Sequence, residues 1–472
     1  MTDGRTKLVC TIGPATEDRA DELVAAGMDI ARLNFSHGTA AGRIDTARRV
    51  QAAGRQGRVA LLADLPGPKI RLGGLATETV TLETGAGFAL RPTDDTPGDA
   101  AGAHVSYPRL AIDVSAGDRI LLADGAVELR VTAVTDDVRT EVVRGGVIRP
   151  HAGVSVPSDR VSEPALTPAD RAAVPEALAL GADYIAQSFV RRAADVIQLR
   201  ELIGPEGPPI VAKIETRAAI DDFDAICEVA SAVMIARGDL GVELPFEEVP
   251  ILQKQLVRRA LDIGIPTIVA TQMLESMISS PRPTRAEASD VANAIFDGAD
   301  AIMLSGETAI GSYPILAAQA AARIARLCER TGAEYLPSGR PPNADTDADA
   351  LAYAAVALAR ADRDVAAIAC YTRSGRTARI LSSLRPRVPI HAFSPHEEVV
   401  RRLALVHGVQ ASTCMAPSGP EGRLDLLAWL LGEDPSLPPG SAVVLVASTA
   451  TPGTGPNLLE VARVAGQARG NS

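Results

Sequence analysis

Aromatic side chains amount to only 3% of the chain, with a single Trp. The core therefore has to be aliphatic, drawn from Ala, Val, Leu and Ile. No apolar run reaches the roughly 18–20 residues of a membrane-spanning helix, so no membrane partner is expected. Cysteine is scarce as well. Cys10, Cys227, Cys328, Cys370 and Cys414 are scattered, odd in number and lack CxxC spacing. They read as reduced and structural, and the expected compartment is cytoplasmic. Positive charge is in the minority, 47 Lys and Arg against 58 Asp and Glu, a formal charge of −11. That disfavours nucleic acid or an anionic membrane as the main partner. It leaves room for small anions, which need only local positive charge. The start of the chain, with Asp3, Arg5 and Lys7 before a short apolar run, does not have the form of a signal peptide.

What is present is a repeating pattern. A length of 472 residues points to about three domains, and 46% hydrophobic with 22% charged residues is a globular balance. Eight short apolar runs recur: Lys7–Gly13, Met28–Phe35, Val59–Leu65, Ala182–Val190, Pro209–Ile214, Ala232–Ala236, Pro266–Thr271 and Ala301–Leu304. Their continuous Val, Ile, Leu and Ala content suits strands buried on both faces. Most follow a helical stretch ending in a Gly cue, such as Gly27, Gly57, Gly181, Gly264 or Gly298. Eight alternating units predict an α/β fold, a (β/α)8 TIM barrel, in preference to a doubly wound open sheet. The alternation lapses over residues 68–166, where short β-like runs mix with Gly, Pro and Asp; a small all-β lid domain inserted after strand 3 is expected. Thr167-Pro168 supplies an N-cap and a first-turn Pro where the barrel resumes. The barrel is thus assigned residues 1–67 and 167–336. A Pro- and Gly-rich linker covers 337–349, and a C-terminal α/β domain covers 350–472.

A barrel of this kind places chemistry at the C-terminal ends of its strands. The second strand ends in Arg32, Asn34 and Ser36 on one face, followed by His37. A guanidinium, an amide and a hydroxyl suit a phosphate or carboxylate; a salt-bridged rim would look the same. The third ends at Asp64. The fifth ends in Lys213 and Glu215 on one face, a phosphoryl holder beside a metal or an ordinary ion pair. The sixth ends in Arg237-Gly238-Asp239, where Asp239 could join Glu215 on Mg²⁺ and the glycine lets backbone N–H groups approach an anion. The seventh offers the Thr271 hydroxyl, and the eighth Ser305-Gly306-Glu307-Thr308, which reads best as a helix cap with an acidic first turn. Each signal alone has a structural explanation. Together they suggest phosphoryl transfer, which needs positioning and charge neutralisation more than covalent chemistry.

With these stretches in view, the chain resembles the pyruvate kinase family over nearly its whole length. Cys10–Pro14, Arg32–Gly38, Gly67–Arg71, Lys213–Glu215, Ala236–Glu243, Ala270–Met277, Pro283–Glu287, Asp290–Asp300 and Met303–Thr308 carry the resemblance. It implies phosphoryl transfer from phosphoenolpyruvate to ADP, the last step of glycolysis. It implies Mg²⁺ or Mn²⁺ on Glu215 and Asp239, and Lys213 and Arg32 on the phosphoryl group. Gly238, Asp239 and Thr271 would face the substrate carboxylate, with Thr271 also in the proton path. Arg71, His37 and Asn34 would face the nucleotide, and the inserted domain would close as a lid. Asn34, Ser36 and Asp64 match a monovalent-cation site. A homotetramer with Arg285 near an interface follows from the same resemblance. So does a phosphorylated allosteric effector on the loop Thr372, Arg373, Ser374, Gly375, Arg376 and Thr377. That loop also has the hydroxyls, Gly and helix start of a phosphate cradle. An inactive metabolite-sensing paralogue and another phosphoenolpyruvate or 2-oxoacid barrel enzyme are the alternatives. The presence of Lys213, Glu215, Asp239 and Thr271 argues against the first.

The chain departs from the family pattern twice. Leu65-Pro66-Gly67-Pro68-Lys69 replaces Thr-Lys-Gly-Pro-Glu, and Ala169 stands where a nucleotide-facing Lys is common. Lys69 brings one positive charge to the region a bound K⁺ would occupy. At about 5 Å and an effective dielectric near 20, one unit charge is worth roughly 3 kcal/mol against a phosphate charge. The expectation is an enzyme that does not require K⁺.

Overall fold

The computed structural model describes residues 4–464 apart from 55–58, 94–95, 158–159, 333, 338–345, 416–426, 428–436, 439 and 448–457. Gly57 and most of the expected linker lie outside the described residues. Strands β1 (Lys7–Ile12), β2 (Ile30–Asn34) and β3 (Ala60–Asp64) open the barrel. Eight short strands interrupt it: β4 (Val80–Leu82), β5 (Gly87–Arg91), β6 (Gly102–His104), β7 (Arg119–Leu122), β8 (Val127–Val134), β9 (Val138–Arg144), β10 (Gly146–Ile148) and β11 (Val154–Ser155). The barrel then continues with β12 (Tyr184–Val190), β13 (Ile210–Ile214), β14 (Ala232–Ala236), β15 (Thr267–Ala270) and β16 (Ala301–Leu304). Each of the eight apolar runs contains one parallel barrel strand. Pairing of β16 with β1, Ala301 opposite Lys7 through Leu304 opposite Cys10, closes the ring and rules out the open sheet.

Two layers of packing follow from the strand period of two. Val9, Ile30, Leu62, Ala186, Val211, Met234 and Ile268 fill the barrel interior. Their neighbours Leu8, Cys10, Leu61, Ile185, Ala212, Val233 and Val269 pack outward against the helices. The interrupting strands form a six-stranded sheet, β11-β7-β8-β9-β5-β6, and a two-stranded ribbon, β10-β4, around their own core. One helical turn, Leu110–Asp113, departs from the all-β expectation. The insertion is tied back at its root. Thr167 caps the helix Pro168–Ala179 in a capping box with Asp170, whose other oxygen accepts the Gly67 N–H at 3.0 Å. Gly67 has φ +68, and a Cβ there would lie 2.8 Å from that of Ser188, so the chain passes the end of β12 only as glycine.

The C-terminal sheet runs β19 (Val409–Thr413), β18 (Ile390–Ser394), β17 (Val365–Tyr371), β20 (Ala442–Ala447) and β21 (Leu458–Arg463), with only β21 antiparallel. It seals the N-terminal end of the barrel. Ala404 and Leu405 join the interior cluster as a floor. The Lys7 ammonium donates to the Val409 carbonyl at 2.7 Å, and Arg401 pairs with Asp183 at 2.8 Å. Among the described residues no helix is long and apolar enough to cross a membrane, and all five cysteines are free.

Candidate active site

Two residues beyond the interior apolar layer, the same period brings Thr11, Arg32, Asp64, Ser188 and Lys213 into one polar layer at the strands' C-terminal ends. Asp64 lies between the cations. It accepts from Arg32 Nε at 2.6 Å and stands 3.3 Å from the Lys213 ammonium. Arg32 also donates to the Thr11 hydroxyl at 2.9 Å. Lys213 donates to Ser188 Oγ at 2.7 Å and pairs with Glu215 at 3.0 Å. The second Glu215 oxygen accepts the Phe189 N–H at 2.7 Å. Asp64 and Glu215 are 1% and 2% exposed, so these charges depend on one another rather than on water.

The electrostatics follow from that burial. Burial alone would raise the Asp64 carboxyl, but Lys213 and Arg32 outweigh it and hold the group below the ordinary carboxylate range. Burial likewise opposes the charge on Lys213, yet Asp64 and Glu215 raise it above the ordinary lysine value. Lys213 is therefore a fixed positive charge at neutral pH. Glu215 is pushed up, first by burial and then by Asp239, with Lys213 pulling the other way. Asp239 lies in the first turn of the helix Arg237–Glu243 after β14, and the Lys69 ammonium stands 3.5 Å from it. Lys69, Glu215 and Asp239 line one cleft together with Ser155 and Val161 from the insertion side. Among the described residues no set of three His, Cys, Asp or Glu is placed to hold a metal by itself. Glu215 and Asp239 line the same cleft, and two carboxylates could serve Mg²⁺ where substrate supplies further oxygens.

Beyond Gly238, Thr271 follows β15 at φ +66 and Gln272 at φ +55. Two consecutive non-glycine residues in this region, the first β-branched, are strained and need outside support. Arg237 supplies it: its guanidinium donates to the Thr271 carbonyl at 2.7 Å and the Gln272 carbonyl at 3.1 Å. Asp290 and Gln253 fix the guanidinium in turn. The Thr271 hydroxyl accepts the Gly238 N–H at 2.7 Å, and a Cβ on Gly238 would come within 3.3 Å of that oxygen.

The remaining sequence candidates fall elsewhere. Strand β2 ends at Asn34, whose side chain accepts the Ser36 N–H at 3.0 Å, so Ser36 lies in a turn and does not continue the strand face. A local Asx-type bond has displaced the strand period there. His37 is exposed. Arg71 donates to the His151 carbonyl at 3.2 Å within the insertion. Ser305 stands at the N-cap of the short helix Gly306–Ala309, without a side-chain cap bond, and Glu307 lies in its first turn; Glu307 is fully buried, and its carboxylate accepts the Leu274 and Ser305 N–H groups. In the C-terminal loop the Thr372 hydroxyl accepts the Gly375 N–H at 2.9 Å and Thr377 is buried, while Arg373, Ser374 and Arg376 are exposed. Arg285 is exposed at the start of the helix Arg285–Asp297. Sequence reasoning gave no role to Thr11, Ser188 or Arg237. Polar residues at interior register inside apolar strands were the available signal for the first two.

A closed (β/α)8 barrel with an inserted β domain beside its strand ends and a buried lysine–carboxylate layer is an arrangement suited to phosphoryl transfer. A family model described as pyruvate kinase, barrel domain, matches residues 3–318, and one described as pyruvate kinase, alpha/beta domain, matches residues 349–462. The chain belongs to the pyruvate kinase family. It is 42% identical to a pyruvate kinase of Geobacillus stearothermophilus, over 97% of this chain and 80% of that protein. It is 43% identical to one of Mycobacterium tuberculosis, over 98% of both. A crystal structure of a pyruvate kinase from Cryptosporidium parvum superposes with a TM-score of 0.87 at 32% identity, covering 98% of this chain and 96% of that one.

Proposed function

We propose that this chain transfers the phosphoryl group of phosphoenolpyruvate to ADP, giving pyruvate and ATP in the cytoplasm as the last step of glycolysis. The observation that carries the reading is the buried layer in which Lys213 and Arg32 are held by Asp64 beside Glu215. The bond between phosphorus and the enol oxygen breaks, and a bond to a terminal oxygen of ADP forms. Arg32 and Lys213 meet the charge on the phosphoryl oxygens in transit, in a site too dry to screen them. The backbone N–H groups around Gly238 and Asp239, with Thr271, hold the substrate carboxylate, the Gly238 N–H exchanging its bond to the Thr271 hydroxyl for one to the substrate. The enolate left behind takes a proton at its terminal carbon along the path that includes the Thr271 hydroxyl. Glu215 and Asp239 hold Mg²⁺ or Mn²⁺, whose role is to neutralise phosphate charge. His37, Asn34 and Arg71 receive the nucleotide, and the inserted domain closes to exclude water.

Lys69 supports K⁺-independence. Its ammonium already reaches Asp239 at the mouth of the cleft, and the Asp64 carboxylate of the monovalent-cation site is taken by Arg32 and Lys213. A homotetramer with Arg285 at an interface, and a phosphorylated effector on residues 372–377, complete the reading. The deciding experiment is a coupled assay of purified protein. Pyruvate formation that requires phosphoenolpyruvate, ADP and Mg²⁺ together is expected, and its absence from folded protein would overturn the proposal. Asp239→Ala is expected to lower turnover by orders of magnitude. Near-normal activity in that variant would show that the metal is held elsewhere.

A further inference from the structure

We propose that the seam between the barrel floor and the C-terminal domain holds a second anion site, one that takes a phosphate group either free or on a small metabolite. A cavity of about 370 Å³ opens there, within the size range of small-molecule sites. Arg5, Arg360, Arg385, Arg387 and His407 line it, and among the described residues no Asp or Glu does. On a chain of net charge −11 this concentration of one sign is exceptional. It is separate from the catalytic cleft, which lies at the other end of the barrel strands, and none of residues 372–377 lines it.

The four guanidinium groups divide into two kinds. Arg385 and Arg360 are built into the wall. Arg385 pairs with Asp300 at 3.0 Å and donates to the Gly298 carbonyl at 2.7 Å, and Arg360 donates to the Leu384 carbonyl at 2.6 Å. Arg385 also carries φ +50 directly before Pro386, a strained position that these bonds hold. Arg5 and Arg387 are different: neither guanidinium has a hydrogen-bond or ion-pair partner among the described residues. His407 is 7% exposed, and its ring makes no hydrogen bond among the described residues although its backbone N–H donates to Asp300. Burial and then Arg385, Arg5 and Lys7 push this imidazole well below its ordinary value, so it stays neutral and keeps a free ring nitrogen.

Like charges gathered in a partly enclosed space repel one another, and a bound anion relieves that repulsion. Planar guanidinium groups on several sides suit a tetrahedral oxyanion with oxygens in several directions. Arg5 and Gly298 belong to the barrel, whereas Arg360 and Arg387 belong to the C-terminal domain. An anion between them would draw the two domains together.

The test needs no catalysis, so it stands or falls separately from the proposed reaction. Full-length protein labelled with ¹⁵N-histidine is titrated with inorganic phosphate while the His407 ring signals, assigned through His407→Gln, are followed. Crystals soaked in selenate are examined for an anomalous peak in the cavity. Saturable movement of the His407 signals and a peak beside Arg5 and Arg387 are expected. The double variant Arg5→Gln/Arg387→Gln, with its melting temperature checked, should bind about tenfold more weakly or worse, as loss of charged hydrogen bonds implies. Thr372→Ala/Ser374→Ala should leave the His407 response unchanged. A nucleoside monophosphate or hexose phosphate binding tighter than inorganic phosphate identifies an ester as the ligand, and equal affinity identifies free phosphate. Signals that stay still at tens of millimolar phosphate, or that move equally in the double Gln variant, overturn the site.

Discussion

The two ends of the barrel each gather cations, but they balance them differently. At the C-terminal ends of the strands, Arg32 and Lys213 are matched by Asp64 and Glu215 in a closed, hydrogen-bonded layer. At the opposite end, four arginines and a histidine line a cavity, and Asp300 pairs with only one of them. In the matched layer each charge depends on its partners, because removing one member strands a buried charge. The unmatched seam is left to be completed by something outside the chain. Charge neutrality thus separates a site built to keep its shape from one built to respond.

The largest effect should come from breaking the matched layer. Lys213→Met removes the fixed charge and leaves Asp64 and Glu215 facing each other. A fall in kcat on the order of 10³ is expected from the loss of one preorganised charge. A stability loss of about 3 kcal/mol, read from urea unfolding, should accompany it. A variant that loses turnover with unchanged unfolding would show that the layer does not depend on its lysine.

A smaller change tests the cleft's mouth, where Lys69 makes one half-exposed contact with Asp239. The unmodified chain should turn over equally in tetramethylammonium with or without K⁺. Lys69→Glu should lose about tenfold without K⁺, since about 1.4 kcal/mol of lost attraction suffices for that, and recover part of it when K⁺ is added. A several-fold K⁺ activation of the unmodified chain would mean that Lys69 does not stand in for the ion.

The smallest effect concerns the seam. His407 is depressed by burial and by Arg385, Arg5 and Lys7. Its contribution to stability is present above the unfolded value of about 6.5 and is lost as pH falls below it, because only the unfolded chain then binds the proton. Unfolding free energy measured downward from about pH 7 should therefore decline more steeply in the unmodified chain than in His407→Gln. Parallel curves would mean that the imidazole titrates in the fold as it does in the unfolded chain. Phosphate in the buffer should reduce the difference, since a bound anion offsets the arginine field.

Much of this was legible in the sequence because local rules survive in the fold. Eight aliphatic runs became eight barrel strands, since a strand covered on both faces must be apolar throughout. Thr167 and Pro168 start a helix because a capping box needs only four consecutive residues. The strand period also placed Lys213 and Glu215 on one face. It failed at Ser36, where the Asn34 side chain turns the chain out of the strand. The strands β19 and β21 carry no such signal, because edge strands with mixed exposure have no continuous apolar run.

By itself, then, the sequence determined the barrel, its interruption and the residue types waiting at the strand ends. Those are properties of spacing and side-chain chemistry, and they can be read one segment at a time. Only the tertiary structure decided which charges meet. Asp64 joins Arg32 from 32 residues away and Lys213 from across the inserted domain. Arg237 reaches the strained backbone at Thr271, and Arg5 comes to lie beside His407 and Arg387. Such pairings depend on barrel closure and on the docking of the C-terminal domain. Electrostatic energy falls with distance in space, and distance along the chain does not enter it.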